Sequence, residues 1–197
     1  LRVLSVRNVK KKWTRETWIL ANNNTLVLGI GNTLLSDEGV GVHMLAYIQD
    51  NYPDLPNTDY LDGGTLSFTL AGWIEEADHL VVIDAAQLDS VPGTVQVFEG
   101  EEMDRFAGRI KRSVHEVSLG DLLAIAHLTD SIPQQRALVA MQPQEIDWGS
   151  RLSDAVEQAL PVAAERVARL VLRWAGAPDS AGNAPAISRT DNQQMGA

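Results

Sequence analysis

The sequence of 197 residues contains no cysteine. Without thiols the chain cannot form a disulfide framework or a zinc ribbon, and it has no cysteine nucleophile. It also lacks any run of about 18 apolar residues, and its N-terminus has no apolar signal-peptide core. We therefore expect a cytoplasmic protein whose chemistry comes from carboxylates, imidazoles or hydroxyls.

Two common catalytic signatures are also missing. There is no Walker loop and no Gly-x-Ser-x-Gly elbow, so phosphoryl transfer and serine hydrolase chemistry lack their usual motifs. The net charge is −10 and the isoelectric point is near 4.8. Such an acidic chain repels nucleic acid and anionic membranes, and we expect neither to be a partner.

The length and the 45% hydrophobic content predict one well-buried domain. We place this domain at residues 25–176. Residues 1–24 are basic and carry two tryptophans, and they are interpreted as an N-terminal extension outside the domain. Residues 177–197 are rich in Ala, Gly, Ser, Asn and Gln with no apolar period, which predicts a disordered C-terminal tail.

Residues 25–42 organise the rest of the chain. An apolar run stops at Gly29, a glycine-punctuated loop follows, and apolar residues then recur at helical spacing. This pattern predicts a strand, a tight turn and a helix, the first half of a βαβ unit. The acidic pair Asp37 and Glu38 lies in the turn, at the carboxyl edge of a parallel sheet, where open α/β folds bind their ligands.

The remaining patterns alternate between strands and helices. Four further strands are predicted over residues 58–61, 79–84, 95–98 and 136–141, with 95–98 antiparallel or at an edge. Helices are predicted over residues 66–74, 118–128 and 156–174, the second opened by a capping box and the third restarted or kinked at Pro161. Residues 100–117 are interpreted as a long loop with one helical turn near 102–106. The expected fold is an α/β protein, a three-layer α/β/α sandwich around a five-stranded, mostly parallel twisted sheet.

The glycines of the first turn suggest dinucleotide binding at first sight. Gly29 and Gly31 follow a strand, but the position of the third glycine is Leu34. Asp37 and Glu38 lie where a pyrophosphate would need a positive environment, and two carboxylates there are strongly unfavourable. Nicotinamide or flavin binding is therefore the weakest of the alternatives, and no organic cofactor is expected.

A group of polar residues follows the ends of separate strands. Glu38 follows the first strand, Asp62 ends the second, Asp84 ends the third, and His115 lies in a later loop. Two carboxylates and one imidazole from separate loops can form a three-ligand site for a divalent metal, with open positions for substrate or water.

Structural roles for these residues are the alternative. Asp37 or Glu38 can cap the helix that begins near Gly39, and Asp62, followed by two glycines, can shape a turn. Asp84 follows four apolar residues, so an unpaired carboxylate there is costly and a functional role is favoured. The other three histidines fall on helices or at a strand start, where packing or solvent exposure is expected: His43, His127 and His79.

Four motifs in this order closely resemble those of the hydrogenase maturation endopeptidases, which process the large subunit of nickel–iron hydrogenases. The motifs are residues 29–41 (GIGNTLLSDEGVG), 62–65 (DGGT), 82–85 (VIDA) and 113–116 (SVHE). The resemblance runs from about residue 25 to residue 176. It implies a three-layer α/β fold and an enzyme that removes a C-terminal extension from the precursor subunit once nickel has been inserted.

The resemblance also implies roles for individual residues. The family's metal-binding acid of the first loop, aspartate after the third strand and later histidine fall on Glu38, Asp84 and His115. These residues would recognise nickel carried by the substrate subunit, and the same three are the candidate catalytic residues. The DGGT turn, which begins at Asp62, is expected to help shape the substrate cleft.

Three further expectations complete this interpretation. A non-catalytic nickel chaperone of hydrogenase assembly, using the same ligands, is the alternative function. The protein is expected to be a monomer that meets the precursor large subunit transiently. Arg109, Lys111 and Arg112 form a basic patch near His115 that either contacts this partner or is only a solvated loop.

Overall fold

The computed structural model describes residues 24–109 and 117–176. A single five-stranded sheet runs through this part of the chain. Its strands are β1 (Thr25–Ile30), β2 (Thr58–Gly64), β3 (His79–Ala85), β4 (Val95–Glu99) and β5 (Gln135–Met141). They lie in the order β2-β1-β3-β5-β4, and all neighbours are parallel except β4, which is an antiparallel edge strand. The predicted mostly parallel sheet, with residues 95–98 antiparallel at its edge, is confirmed.

Helices cover both faces of this sheet. They are α1 (Val40–Asn51), α2 (Ala71–Glu75), α3 (Glu101–Ala107), α4 (Leu119–Leu128) and α5 (Asp154–Trp174). Helices α1 and α5 pack on one face, and α2, α3 and α4 pack on the other. The three-layer sandwich predicted from the sequence is confirmed. Within the described ranges, no helix combines the length and apolarity that crossing a bilayer requires.

The central strands are apolar on both sides because helices cover both faces of the sheet. In β3, Leu80 and Val82 face the layer of α2, α3 and α4, whereas Val81 and Ile83 face α1 and α5. All four side chains are fully buried. The continuous apolar run that predicted a buried central strand therefore reflects helix layers on both faces of the sheet. Asp84 is the first acidic residue after this run.

The segment after β2 is less helical than predicted. A 3-10 turn, Phe68–Leu70, precedes the short helix α2. Leu70 and Ile74 are buried, but Phe68 is 60% exposed and Trp73 is 41% exposed. A 3-10 turn has three residues per turn, whereas an α-helix has 3.6. The apolar spacing of one continuous α-helix therefore does not predict which side chains of this segment are buried.

The later helices differ from prediction in extent and continuity. Helix α3 has two turns where one was expected, and α5 continues through Pro161 without restarting. The capping box of α4 is present: Ser118 Oγ accepts from the Asp121 N–H at 3.2 Å, and the Asp121 carboxylate accepts from the Ser118 N–H at 2.9 Å. Proline has no backbone N–H, so one carbonyl in the preceding turn of α5 lacks its helical hydrogen bond. Pro161 is solvent-exposed, and water can donate a hydrogen bond to that carbonyl.

Asn24, the last residue of the predicted N-terminal extension, is the first residue that the structure describes. Asn24 lies next to the first strand, where its backbone N–H donates to Asp78 at 3.1 Å and its carbonyl accepts from the His79 N–H at 3.0 Å. These hydrogen bonds join Asn24 to the start of β3. The rest of the predicted extension, residues 1–23, and the predicted tail, 177–197, lie outside the described residues.

A partly buried ion pair connects α3 to the start of β5. The Arg136 guanidinium donates to both carboxylate oxygens of Asp104, at 2.8 and 2.5 Å, and His127 lies 3.4 Å from the same carboxylate. Burial acts to raise the pKa of Asp104, but the hydrogen bonds and charge of Arg136 outweigh it, and the pKa lies below its ordinary value. Ionised Asp104 therefore stabilises the folded state at pH values above the pKa that this group has in the unfolded chain. The stabilisation is lost as the pH falls through the lower pKa of the folded state.

We expect Asp104→Asn to lower the free energy of unfolding by about 1–3 kcal/mol at neutral pH, because it leaves a partly buried guanidinium without its charge partner. The variant should also lose less stability than the wild type between pH 5 and pH 3. Urea unfolding at several pH values measures both effects. Glu165→Gln is the control, since its ion pair with Arg169 on α5 is more exposed and should contribute less than about 0.5 kcal/mol. Equal stability of Asp104→Asn and wild type at neutral pH would contradict this role.

Candidate active site at the carboxyl edge of the sheet

The parallel strands β1, β2, β3 and β5 all end at the same edge of the sheet, which we call the carboxyl edge. In the strand register, Gly29 of β1 lies between Asp62 of β2 and Ile83 of β3. The loop after β1 crosses this edge and ends in a 3-10 turn, Ser36–Gly39, that leads directly into α1. Glu38, Asp62 and Asp84 thus all lie on segments at this edge of the sheet.

Two glycines allow the loop and α1 to approach the strand ends closely. Gly31 has φ of +136°, and a Cβ atom there would lie 1.8 Å from the carbonyl oxygen of Glu38. A Cβ atom on Gly41 would lie 2.2 Å from the carbonyl oxygen of Ile83 and 2.3 Å from that of Ile30. No side chain fits at either position. Gly31, which resembled part of a phosphate-binding fingerprint, instead allows the 3-10 turn to approach the end of β1, and Gly41 brings the backbone of α1 against β1 and β3.

Asp84 occupies the end of β3, next to this contact. It directly follows Ile83, whose carbonyl oxygen faces Gly41, and it lies opposite Ala140 of β5. Its side chain is only 4% exposed. The prediction that this carboxylate lies at the border of the core is confirmed, and its position between two central strands gives it a rigid backbone.

Glu38 lies in the 3-10 turn, three residues before Gly41. This turn contacts β3, so Glu38 and Asp84 lie on neighbouring segments of the carboxyl edge. The Oε2 atom of Glu38 is buried, and within the described part of the chain it has no hydrogen-bond partner. A buried carboxylate oxygen without a partner is costly, so it calls for a functional explanation.

Neither acid of the first loop caps a helix. The 3-10 turn is preceded by Leu35 and α1 by Gly39, and neither start has a hydrogen bond from a capping side chain. The capping alternative for Asp37 and Glu38 is therefore wrong. The two acids instead differ in their contacts, since Asp37 is hydrogen-bonded inside the protein and Glu38 has a buried oxygen without a hydrogen-bond partner in the described ranges.

Asp37 is fully buried and accepts four hydrogen bonds from a distant loop. Its Oδ2 accepts from the N–H groups of Gln144 and Glu145, at 2.8 and 3.0 Å, and from the Ser153 hydroxyl at 2.8 Å. Its Oδ1 accepts from the Ser153 N–H at 2.7 Å. Burial alone would raise the pKa of Asp37, but these hydrogen bonds hold it below its ordinary value. The sequence analysis did not predict this role.

Asp62 shapes the turn that follows β2. Its Oδ1 accepts from the Gly64 N–H at 2.9 Å, as proposed for a turn-forming aspartate. The Gly64 carbonyl in turn accepts from the Gly31 N–H at 2.9 Å, which ties this turn to the loop that carries Glu38. A cavity of about 260 Å³ lies beside the turn, lined by residues that include Asp62, Thr65 and Thr69. The DGGT motif therefore borders a depression next to the site.

The third candidate ligand, His115, lies outside the described residues, as do Lys111 and Arg112 of the predicted basic patch. Arg109 is described and exposed. Among residues 24–109 and 117–176, no three His, Asp or Glu side chains are grouped closely enough to hold a metal ion. The described chain thus contributes Glu38 and Asp84 to the predicted site.

The remaining histidines lie elsewhere in the fold. His43 is on α1, and His127 is near the end of α4, where it approaches Asp104. His79 begins β3, and its ring packs against Trp174 with 5.6 Å between the ring centroids. The positions expected for these three from the sequence, two on helices and one at a strand start, are confirmed.

The sequence and the fold match a known class of proteases. Residues 42–170 match the family model described as HycI, hydrogenase maturation protease. The hydrogenase expression/formation protein HoxM of Cupriavidus necator is 36% identical over 154 residues, covering 78% of this chain and 76% of the relative. The hydrogenase 2 maturation protease of Escherichia coli is 33% identical over 144 residues, covering 72% of this chain and 87% of the relative.

Solved structures agree with these matches. The hydrogenase maturating endopeptidase HybD from Escherichia coli superposes with a TM-score of 0.70 at 33% identity, over 78% of this chain and 94% of that one. The [NiFe] hydrogenase maturation protease HybD from Thermococcus kodakarensis has a TM-score of 0.60 at 26% identity, over 75% of this chain and 99% of that one. The chain belongs to the hydrogenase maturation protease family.

Proposed function

We propose that this protein is an endopeptidase that removes a C-terminal extension from the precursor of a nickel–iron hydrogenase large subunit after nickel insertion. In this proposal Glu38, Asp84 and His115 recognise the nickel ion that the substrate carries. The observation that carries the proposal is the buried Glu38 Oε2 atom, which has no hydrogen-bond partner in the described ranges and lies on the segment beside Asp84.

The chemistry of these residues fits a divalent cation. Carboxylate and imidazole groups are both ligands for nickel, although soft thiolate ligands are absent from a chain without cysteine. A cation at this edge would give the buried Glu38 oxygen a charged partner and offset its desolvation. Because the metal belongs to the substrate, the binding site is complete only when a loaded precursor is bound, which makes cleavage conditional on nickel.

In this proposal water is the nucleophile that attacks the peptide carbonyl. The chain has no thiol and no serine elbow. Glu38 and Asp84 are the carboxylates of this edge that can accept a proton from a water molecule as it attacks the peptide carbonyl. The metal of the substrate can polarise that carbonyl when it is bound.

The proposal extends to the context of the reaction. The acidic chain is expected to work as a cytoplasmic monomer that meets its precursor transiently and uses no organic cofactor of its own. Arg109, which is exposed at the end of α3, is the described member of the basic patch expected to contact the precursor. Its contribution should weaken at high ionic strength, because exposed charges are screened by salt.

Incubation with nickel-loaded and nickel-free precursor, followed by intact-mass spectrometry of the precursor, tests the function. The nickel-loaded precursor should lose its C-terminal extension, and the nickel-free precursor should stay intact. Transfer of nickel with an uncut precursor would instead identify the protein as a chaperone. An uncut loaded precursor with no metal transfer would contradict both.

A further inference from the structure

Three large apolar side chains are exposed on two loops next to the site. Leu34 is 58% exposed, and it lies on the loop between β1 and α1, four residues before Glu38. Ile146 is 58% exposed and Trp148 is 81% exposed, on the loop between β5 and α5. We call these three residues the apolar rim. Exposed apolar residues are common singly, but an exposed tryptophan with two apolar neighbours beside a site marks a contact surface.

Backbone hydrogen bonds join the two loops that carry the rim. Leu35 and Gly149 form a parallel bridge, in which the Gly149 N–H donates to the Leu34 carbonyl at 3.0 Å. The Ser36 N–H donates to the Gly149 carbonyl at 2.8 Å. Leu34 and Trp148 therefore flank the same bridge, and their backbones cannot separate without breaking it.

Side-chain hydrogen bonds fix the same loop pair from inside. The Ser36 hydroxyl donates to the Asp147 carbonyl at 3.0 Å. The buried Asp37 carboxylate accepts from Gln144 and Glu145 on one side of the rim residues and from Ser153 on the other. Asp37, the residue before Glu38, thus holds the loop between β5 and α5 at both of its ends. A rigid backbone presents the exposed tryptophan with little further entropy to lose on binding.

The charged residues next to Ile146 and Trp148 in the chain are negative. Exposed Glu145 and Asp147 alternate with Ile146 and Trp148 along the chain. A partner segment that contacts this loop therefore meets apolar and acidic side chains in turn. The complementary chemistry is an apolar segment that also carries lysine or arginine.

We propose that the apolar rim is the docking surface for the precursor subunit, which it binds through an apolar segment with basic residues beside it. This inference rests on the proposed function for the identity of the partner. The rim and Glu38 are fixed to each other through Asp37, so docking at the rim sets the position of the bound subunit relative to the site. Docking does not require nickel, and nickel-free precursor should bind as well.

The test compares Trp148→Ala with the wild type in two assays. Calorimetric titration with nickel-free precursor measures docking, and steady-state cleavage of nickel-loaded precursor measures turnover. Trp148→Ala should weaken binding by roughly 10- to 30-fold and raise KM by a similar factor, the size expected for an anchoring tryptophan, with kcat changed by less than about two-fold. Glu145→Lys should slow association, and the slowing should fade at high salt.

Leu128→Ala is the matched control. Leu128 is 87% exposed at the end of α4, away from the carboxyl edge, so its removal should change neither binding nor KM. Thermal unfolding of Trp148→Ala should match the wild type because the side chain is exposed. A Trp148→Ala protein that binds and cuts the precursor as the wild type does would overturn the docking surface, while leaving the proposed function standing.

The proposed function can fail separately. If the wild type binds nickel-free precursor but never cuts the loaded form, the endopeptidase assignment fails. The affinity of Trp148→Ala for nickel-free precursor, compared with that of the wild type, then still tests whether the apolar rim is the docking surface. If the wild type binds no precursor, the docking surface is overturned whatever the variants do.

Discussion

Asp84→Asn should abolish most processing of nickel-loaded precursor, with a loss of at least about 100-fold in kcat/KM. Asparagine keeps the size and one oxygen of the side chain but removes the charge that a cation needs. Asp84 lies at the end of β3 and not among the packed apolar residues, so the protein should remain folded. Cleavage kinetics and circular dichroism on the same preparation measure the two effects.

Combinations of the three ligand variants should be non-additive. If Glu38, Asp84 and His115 act as one unit, each single change to alanine removes most processing, and the triple variant adds little. Asp54→Asn is the matched control, because Asp54 is exposed in the connection from α1 to β2, at the opposite edge of the sheet. Losses that multiply across the three positions would show that these residues act independently.

Asp37→Asn should be the most destabilising conservative change near the site. The amide group of asparagine would face N–H donors from Gln144, Glu145 or Ser153, so at least one buried donor loses its acceptor. We expect a loss of about 3 kcal/mol, equivalent to a melting temperature lower by roughly 6–12 °C for a domain of this size. Processing should fall as well, since the loop next to Glu38 is no longer held.

Ser153→Ala separates the carboxylate from one of its partners. It removes the hydroxyl hydrogen bond to Asp37 and the cap of α5, while the Ser153 N–H still donates to Asp37. Its cost should be smaller, about 1 kcal/mol. Calorimetric melting of both variants gives the comparison, and an Asp37→Asn protein that melts with the wild type would contradict the role assigned to the buried carboxylate.

The sequence predicted the framework of the site well. Strand patterns with an acid at their end or in the following loop located β1, β2 and β3. Because parallel strands end at one edge, Glu38, Asp62 and Asp84 were expected at that edge. The capping box of α4 was also predictable, because its two residues are three positions apart and interact locally. These features depend on short-range patterns or on topology alone.

Other features depend on contacts that no local pattern records. Asp37 and Glu38 are adjacent acids in one motif, yet Asp37 is fully buried and hydrogen-bonded, whereas Glu38 is partly exposed and its Oε2 has no hydrogen-bond partner in the described ranges. The partners of Asp37 lie 107 to 116 residues away in a loop without periodicity. The serine at position 153 is a visible hydrogen-bond donor, but nothing in its surroundings indicates its acceptor.

Glu38→Gln is the sharpest test of metal recognition by the carboxyl edge, because glutamine keeps the size of the side chain and removes only its charge. Melting temperature and cleavage of nickel-loaded precursor should be measured on one preparation beside the wild type. Since Glu38 caps no helix and its Oε2 has no partner in residues 24–109 and 117–176, the melting temperature should be unchanged or higher. The account predicts that this stable protein leaves the loaded precursor uncut. Cleavage at the wild-type rate would show that Glu38 does not recognise the metal.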